Sequence, residues 1–145
     1  MTTHKVRGVR IPYEQQKTRG SDRMCGAAAL SMVFRSFSML SSQGKIWPNI
    51  SGSDIQGRRF AKTYLILAYT LAQNLAAVAL QAKDPLYVLK LCHECSIRVI
   101  LNHRLTRSSG EGHYTVLVNI TDKHVFIHDP QYGPEKRYPV SKLLE

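Results

Sequence analysis

The chain has 145 residues, of which 43% are apolar, and its 20 Lys and Arg against 10 Asp and Glu leave a formal net charge of +10. A chain of this length supplies one core and buries roughly two-thirds of its unfolded surface, so a single domain over residues 1–145 is expected. A basic balance suits nucleic acid, an anionic membrane face or an acidic peptide, but the bases are dispersed and no nucleic-acid motif accompanies them, so nucleic acid is not expected as a partner.

The N-terminal stretch 1–10 carries charge without a following apolar run, which argues against a secretory signal. An extended arm then reaches Gln16, and the polar stretch Lys17 to Arg23 leads to Cys25. From Cys25 to near Phe37 the sequence CGAAALSMVF predicts a buried helix, because Ala27, Ala28, Ala29, Leu30, Met32, Val33 and Phe34 continue without proline. Cys25 would open its first turn, near the positive end of the macrodipole, where a nucleophilic thiolate is favoured. Residues Ser38 to Gly57 read as a long loop rich in Ser, Gly, Asn and Pro. Trp47 within it is a candidate substrate contact, set against the plainer reading of a side chain plugging the loop onto the core.

Between Arg58 and Asn74 the residues Phe60, Tyr64, Leu67, Ala68 and Leu71 recur at helical spacing and predict a second helix. Its most apolar run, Tyr64 to Ala72, is well short of the roughly 20 residues a membrane span needs, so no membrane insertion is expected and the chain reads as soluble and cytoplasmic. Ala76 to Gln81 reads as a short strand, and Asp84-Pro85 opens a third helix ending near Cys95. Cys92 and Cys95 have C-x-x-C spacing, but only His103 lies near as a further ligand, so no metal and no cofactor is expected. Three cysteines, an odd number, do not form a disulfide framework.

Ser96 to Asn102 predicts a strand, followed by a polar loop to Gly112. His113 to Ile120 and His124 to Asp129 then read as two strands joined by the turn Thr121-Asp122-Lys123. His113 starts this hairpin and Asp129 ends it, so both lie at one edge of the sheet, where the carboxylate can orient the ring. Val140 to Glu145 reads as a helix start.

Singly, each of these residues has a plain structural reading; a Cys opening an Ala-rich helix is usually a small buried hydrophobe. In this order they form a pattern: CGAAALSMV, then His113 opening an apolar strand, then a strand ending in Asp129-Pro130-Gln131-Tyr132-Gly133. The pattern resembles the bacteriocin-processing cysteine peptidases that remove double-glycine leaders, and their stand-alone papain-like relatives. The resemblance implies an α+β, papain-like fold, with N-terminal helices packed on a C-terminal antiparallel sheet. It implies Cys25 as nucleophile, His113 as general base and acid, and Asp129 as the orienting group. It also asks for an oxyanion-hole glutamine before the Cys, a place that Gln15 or Gln16 fits, Gln16 preferred. Gln16 stands nine positions ahead of Cys25 (25 − 16), more than the family usually has, and Ser36-Phe37-Ser38 replaces the Gly that commonly follows the Cys helix.

The activity implied is hydrolysis of a peptide bond after a Gly-Gly pair in a precursor, with a peptide or protein substrate and an export transporter as a possible separate partner. Lys17, Arg19 and Arg23, close to the nucleophile in sequence, are candidates for holding an acidic segment of that substrate. Two alternatives remain beside this reading: a catalytically silent leader-binding module of the same fold, and a papain-fold effector or amidase acting on another amide.

Overall fold

Ten of the twelve residues of helix α1 (Cys25–Ser36) are buried, Cys25 through Phe34. The three consecutive alanines explain this, since a methyl group lets neighbouring elements approach the helix closely on several sides. The computed structural model, which describes residues 9–19, 22–104 and 112–143, packs α1 into two apolar clusters. One joins Cys25, Ala29, Met32 and Val33 to Ile11, Tyr114 and Val116; the other joins Met24, Ala27, Leu30 and Phe34 to Ile46, Trp47 and Ile50.

A small sheet of order β1-β2-β4-β3 comprises β1 (Thr18–Arg19), β2 (Asp22–Arg23), β3 (Ser51–Ser53) and β4 (Arg59–Ala61). Its β2 and β4 run parallel, with Arg23 opposite Phe60. The larger sheet is an antiparallel meander of β5 (Ile100–Arg104), β6 (Gly112–Ile120), β7 (His124–Asp129) and β8 (Gly133–Pro139). Helices α2 (Gln43–Ile50), α3 (Thr63–Ala72), α4 (Pro85–Glu94) and α5 (Val140–Leu143) complete the α+β architecture, with helices first and the main sheet last. No helix of the described residues is long and apolar enough to cross a membrane.

Several expectations are corrected. The stretch read as a loop contains α2, capped by Ser42, whose side chain accepts from the N–H of Lys45. Gly44 and Pro48 disguise this helix in the sequence, but Ile46, Trp47 and Ile50 form a buried stripe on it. Trp47 is 4% exposed and sits with Met24 and Leu30 in the core, so it is not a surface contact for substrate. The second helix begins at Thr63, because Arg59–Ala61 pairs with β3 instead. Its expected stripe does not face inward either: Tyr64, Ala68 and Leu71 are exposed, while Leu65, Ile66, Tyr69 and Thr70 turn toward the core. A helix apolar all round gives spacing nothing to discriminate. Ala76 to Gln81 forms no strand and is largely exposed. The strand expected from Ser96 begins at Ile100. Strand β8 went unread because Pro134, Glu135, Lys136 and Arg137 interrupt any alternation; it pairs with β7 alone, an edge position where proline is tolerated.

Candidate active site

Helix α1 starts at Cys25 itself, with Met24 as its cap residue and no acidic side chain in its first turn. The first-turn N–H groups therefore point past Cys25 without a competing carboxylate from that turn. Gly26 is fixed by packing: a Cβ there would lie 2.6 Å from Cβ of Ala61 and 3.2 Å from Cδ2 of Tyr114. Only glycine lets the start of the helix settle against β4 and β6 together.

The hairpin brings the other two groups together as its geometry predicts. Val116 pairs with His128, so Asp129 falls beside Thr115, one diagonal step from His113 on the same face. His113 donates from Nε2 to Oδ1 of Asp129 at 2.8 Å, and the side chains of both are almost fully buried. That oxygen also accepts from the backbone N–H of Gln131 at 2.9 Å and of Tyr132 at 3.2 Å. Burial works against the Asp129 carboxylate, but the His113 bond and these two amides outweigh it and hold its pKa below the usual range.

Cys25 lies near enough to His113 to act on its ring by hydrogen bonding and charge, both favouring the imidazolium. Nε2 is committed to Asp129, so Nδ1 is the ring nitrogen for the sulfur. Burial opposes the imidazolium, yet the bonds and charges of Asp129 and Cys25 overcome it and raise the pKa of His113 to about 9. Imidazole and carboxylate are thus bonded, with the thiol close enough to act on the ring, a grouping that can activate a sulfur nucleophile and supply a proton to a leaving group.

The arm places the candidate oxyanion donor. The hydroxyl of Tyr13 donates to the carbonyl of Asp129 at 3.0 Å, and the N–H of Gln16 to that of Pro130 at 2.9 Å. On its other side the arm is held by Gln43 of α2, which is 1% exposed. Gln43 donates from Nε2 to Oε1 of Glu14 and to the carbonyl of Gln15, both at 2.8 Å, and accepts from the N–H of Lys17 at 2.9 Å. Ser31 of α1 donates to the second oxygen of Glu14 at 2.7 Å. The arm is therefore clamped between the helices and the Asp129 turn. Gln15 is exposed, whereas Oε1 of Gln16 is buried with no hydrogen-bond partner.

A cleft of about 440 Å³ opens beside Cys25, lined by Arg23, Arg58, Phe60, Ala61, Asn102, Gly112 and Tyr114. Of the bases expected near a substrate, Arg23 lines it, Lys17 does not, and the side chain of Arg19 lies outside the described residues. Asn102 and Tyr114 were not foreseen; together with Thr63 they form a polar knot, Thr63 Oγ1 to Tyr114 Oη being 2.8 Å. In the sequence His103 enters only as a possible metal ligand. It lies directly opposite His113 in the β5–β6 register, with ring centroids 5.6 Å apart at 87°. Its Nδ1 bonds the carbonyl of Arg104 and its Nε2 the hydroxyl of Thr115, each at 3.1 Å. Burial, the largest influence, pushes its pKa below the usual histidine range. A neutral ring thus packs edge-on to the one that carries the proton. Register alone could have found His103 once β5 was aligned on β6.

The sequence profile described as the Peptidase C39 family matches residues 10–141. The chain belongs to the peptidase C39 family. It is accordingly a cysteine peptidase, a hydrolase with the papain-like fold that its sequence resembles. No curated protein sequence matches this C39 peptidase. Among solved structures it is similar to a double glycine motif protease from an AMS/PCAT transporter, crystallised in complex with the leader peptide. The TM-score is 0.67 and the identity 20%, over 95% of this chain and 86% of that one. Among the described residues no group of three or more His, Cys, Asp and Glu is placed to hold a metal ion.

Proposed function

We propose that this C39 peptidase cleaves a peptide precursor after a double-glycine leader through Cys25, His113 and Asp129. The observation that carries the reading is the buried 2.8 Å bond of His113 Nε2 to Asp129, in a ring whose pKa Cys25 also helps to raise. Similarity to a leader-bound double glycine motif protease supports the substrate class.

In the reaction, the Cys25 thiolate attacks the carbonyl carbon of the second glycine, and the oxygen takes up the negative charge. The N–H of Cys25 and the side-chain amide N–H of Gln16 receive it. His113 gives its proton to the leaving amine as the C–N bond breaks, leaving a thioester on Cys25. Water then attacks the thioester, His113 takes its proton, and the leader departs as a carboxylic acid with the thiolate restored. Asp129 keeps the ring oriented and its charge balanced throughout. Because the similar protease comes from a transporter, a separate export transporter, served from the cytoplasmic side, is the partner we propose.

The test is the rate of Cys25 alkylation by iodoacetamide against pH, in the wild type and in His113→Ala. A reactive thiolate at neutral pH that disappears without His113 supports the ion pair. A Cys25 indifferent to His113 would identify a packed core cysteine and turn the reading to a leader-binding module.

A further inference from the structure

We propose that the cleft beside Cys25 is a subsite for an acidic side chain of the substrate, read by Arg58 and Arg23. The inference rests on the reading that the peptide is cut at Cys25, and it adds a charge requirement within a few residues of the scissile bond.

The charged groups lining this cleft, among the described residues, are both arginines; the rest of the lining is Cys25, Phe60, Ala61, Asn102, Gly112 and Tyr114. Neither arginine arrives there by chance of a flexible tail. Arg58 closes the tip of the β3–β4 hairpin, where Asp54 organises the turn. Oδ1 of Asp54 accepts from the N–H of Gln56 and of Arg58, each at 2.9 Å, and its backbone N–H donates to the carbonyl of Arg58 at 2.9 Å. Gly57 completes the tip with φ of +77°, a left-handed conformation that glycine adopts without strain. Oδ2 of Asp54 then takes Nε of Arg58 at 2.9 Å, while the guanidinium carbon lies 5.4 Å from the ring centroid of Phe60. One edge of the guanidinium is thus fixed by Asp54 and one face by Phe60, which sets its direction.

Arg23 reaches the same place from the other side. It pairs in register with Phe60 across the parallel β2–β4 ladder, two residues ahead of the nucleophile. Phe60 therefore neighbours both arginines, Arg58 at its ring and Arg23 across the ladder. Asn102 and Tyr114 in the lining supply neutral polar groups, and the apolar surface of Phe60, Ala61 and Tyr114 suits the methylenes of a glutamate stem. A planar carboxylate is the group that a guanidinium fork matches in shape as well as charge.

The experiment uses the whole chain and a set of synthetic peptides with Gly-Gly before the scissile bond, in which each flanking position is in turn Glu, Gln or Lys. Cleavage efficiency is measured for the wild type, Arg58→Gln, Arg23→Gln and Arg58→Glu. At one position Glu should be preferred over Gln by roughly tenfold, with Lys poorer still, as two partly exposed charge pairs allow. The Glu to Gln ratio should fall toward one in either glutamine variant, Lys should overtake Glu in Arg58→Glu, and added salt should shrink the wild-type preference. Equal cleavage of Glu, Gln and Lys peptides at every position overturns the subsite while leaving the peptidase reading standing. Cleavage of none of them, with Cys25 still alkylated in a His113-dependent way, overturns the Gly-Gly substrate and the subsite with it.

Discussion

Asp129 Oδ1 lies 2.8 Å from Nε2 of His113 and is held there by the backbone amides of Gln131 and Tyr132. The carboxylate is anchored by its own turn, so its charge can be removed without removing its place. In Asp129→Asn the side-chain oxygen still accepts these three bonds, but the imidazolium loses its counter-charge. Burial opposes the charged ring, and Asp129 and Cys25 together raise its pKa to about 9. Peptide cleavage should therefore fall as pH rises through about 9 in the wild type, when His113 can no longer protonate the leaving amine. In Asp129→Asn that limb should move down toward the ordinary histidine value near 6.5. Folding stability follows the same proton. The His113 contribution is complete below pH 6.5 and is lost between 6.5 and about 9, since its folded pKa is the raised one. A pH profile of cleavage, together with urea unfolding at pH 6 and 9, reads both. An unmoved basic limb in Asp129→Asn would assign it to another group.

The two adjacent glutamines should behave very differently. Gln15 is exposed and contributes its carbonyl to Gln43, whereas Gln16 is partly buried, its Oε1 enclosed without a partner and its backbone N–H tied to Pro130. Gln16→Ala should lower kcat by roughly 100- to 1000-fold, about 2.7 to 4 kcal/mol, the loss typical of one oxyanion donor, with little change in KM. Gln15→Ala should remain near wild type. Steady-state kinetics on one Gly-Gly peptide compares them, and an equal loss in both would point to the arm's position instead of the Gln16 amide.

What could be read from sequence divides along a physical line. The Cys25 helix and the His113–Asp129 hairpin announce themselves because their signals are local: an alanine-rich run without proline, and two apolar strands around a polar turn. Helix α2 is hidden because Gly44 and Pro48 contradict the stripe of Ile46, Trp47 and Ile50, and burial of that stripe outweighs propensity. Trp47 takes the plainer of its two readings, packed on the core, but from a helix and not from a loop. Gln43 and Arg58 could not be read at all. One acts through Glu14, Gln15 and Lys17, more than two dozen positions away, and the other through a cleft that exists only once β2 and β4 pair.

Gln43 makes a measurable claim of its own. It is buried and satisfies three partners on the arm, so Gln43→Ala removes the partner of Glu14 Oε1, of the Gln15 carbonyl and of the Lys17 N–H, and leaves a cavity. The expected cost is about 1 to 3 kcal/mol, from unsatisfied buried polar groups. Because the arm carries Gln16, kcat should fall as well, although Gln43 touches no reacting atom. Glu should not rescue it, because a second carboxylate would face Glu14; thermal unfolding and kinetics on both variants test this.

Gly26 offers a prediction whose sign depends on space. In an exposed helix, Gly→Ala stabilises by about 1 kcal/mol. Here the added methyl would meet Cβ of Ala61 at 2.6 Å and Cδ2 of Tyr114 at 3.2 Å, and the Ala61 atom cannot rotate away. Overpacking of this kind costs about 1 to 3 kcal/mol and should reverse the usual gain. The helix would relieve the clash by shifting its first turn, which carries Cys25, so alkylation of the thiol should slow in Gly26→Ala as stability drops. Ala61→Gly removes the opposing methyl. Combined with Gly26→Ala it should recover both stability and alkylation rate, a coupling that a double-mutant cycle measures directly. Strict additivity of the two substitutions would mean that this contact does not hold the nucleophile in place.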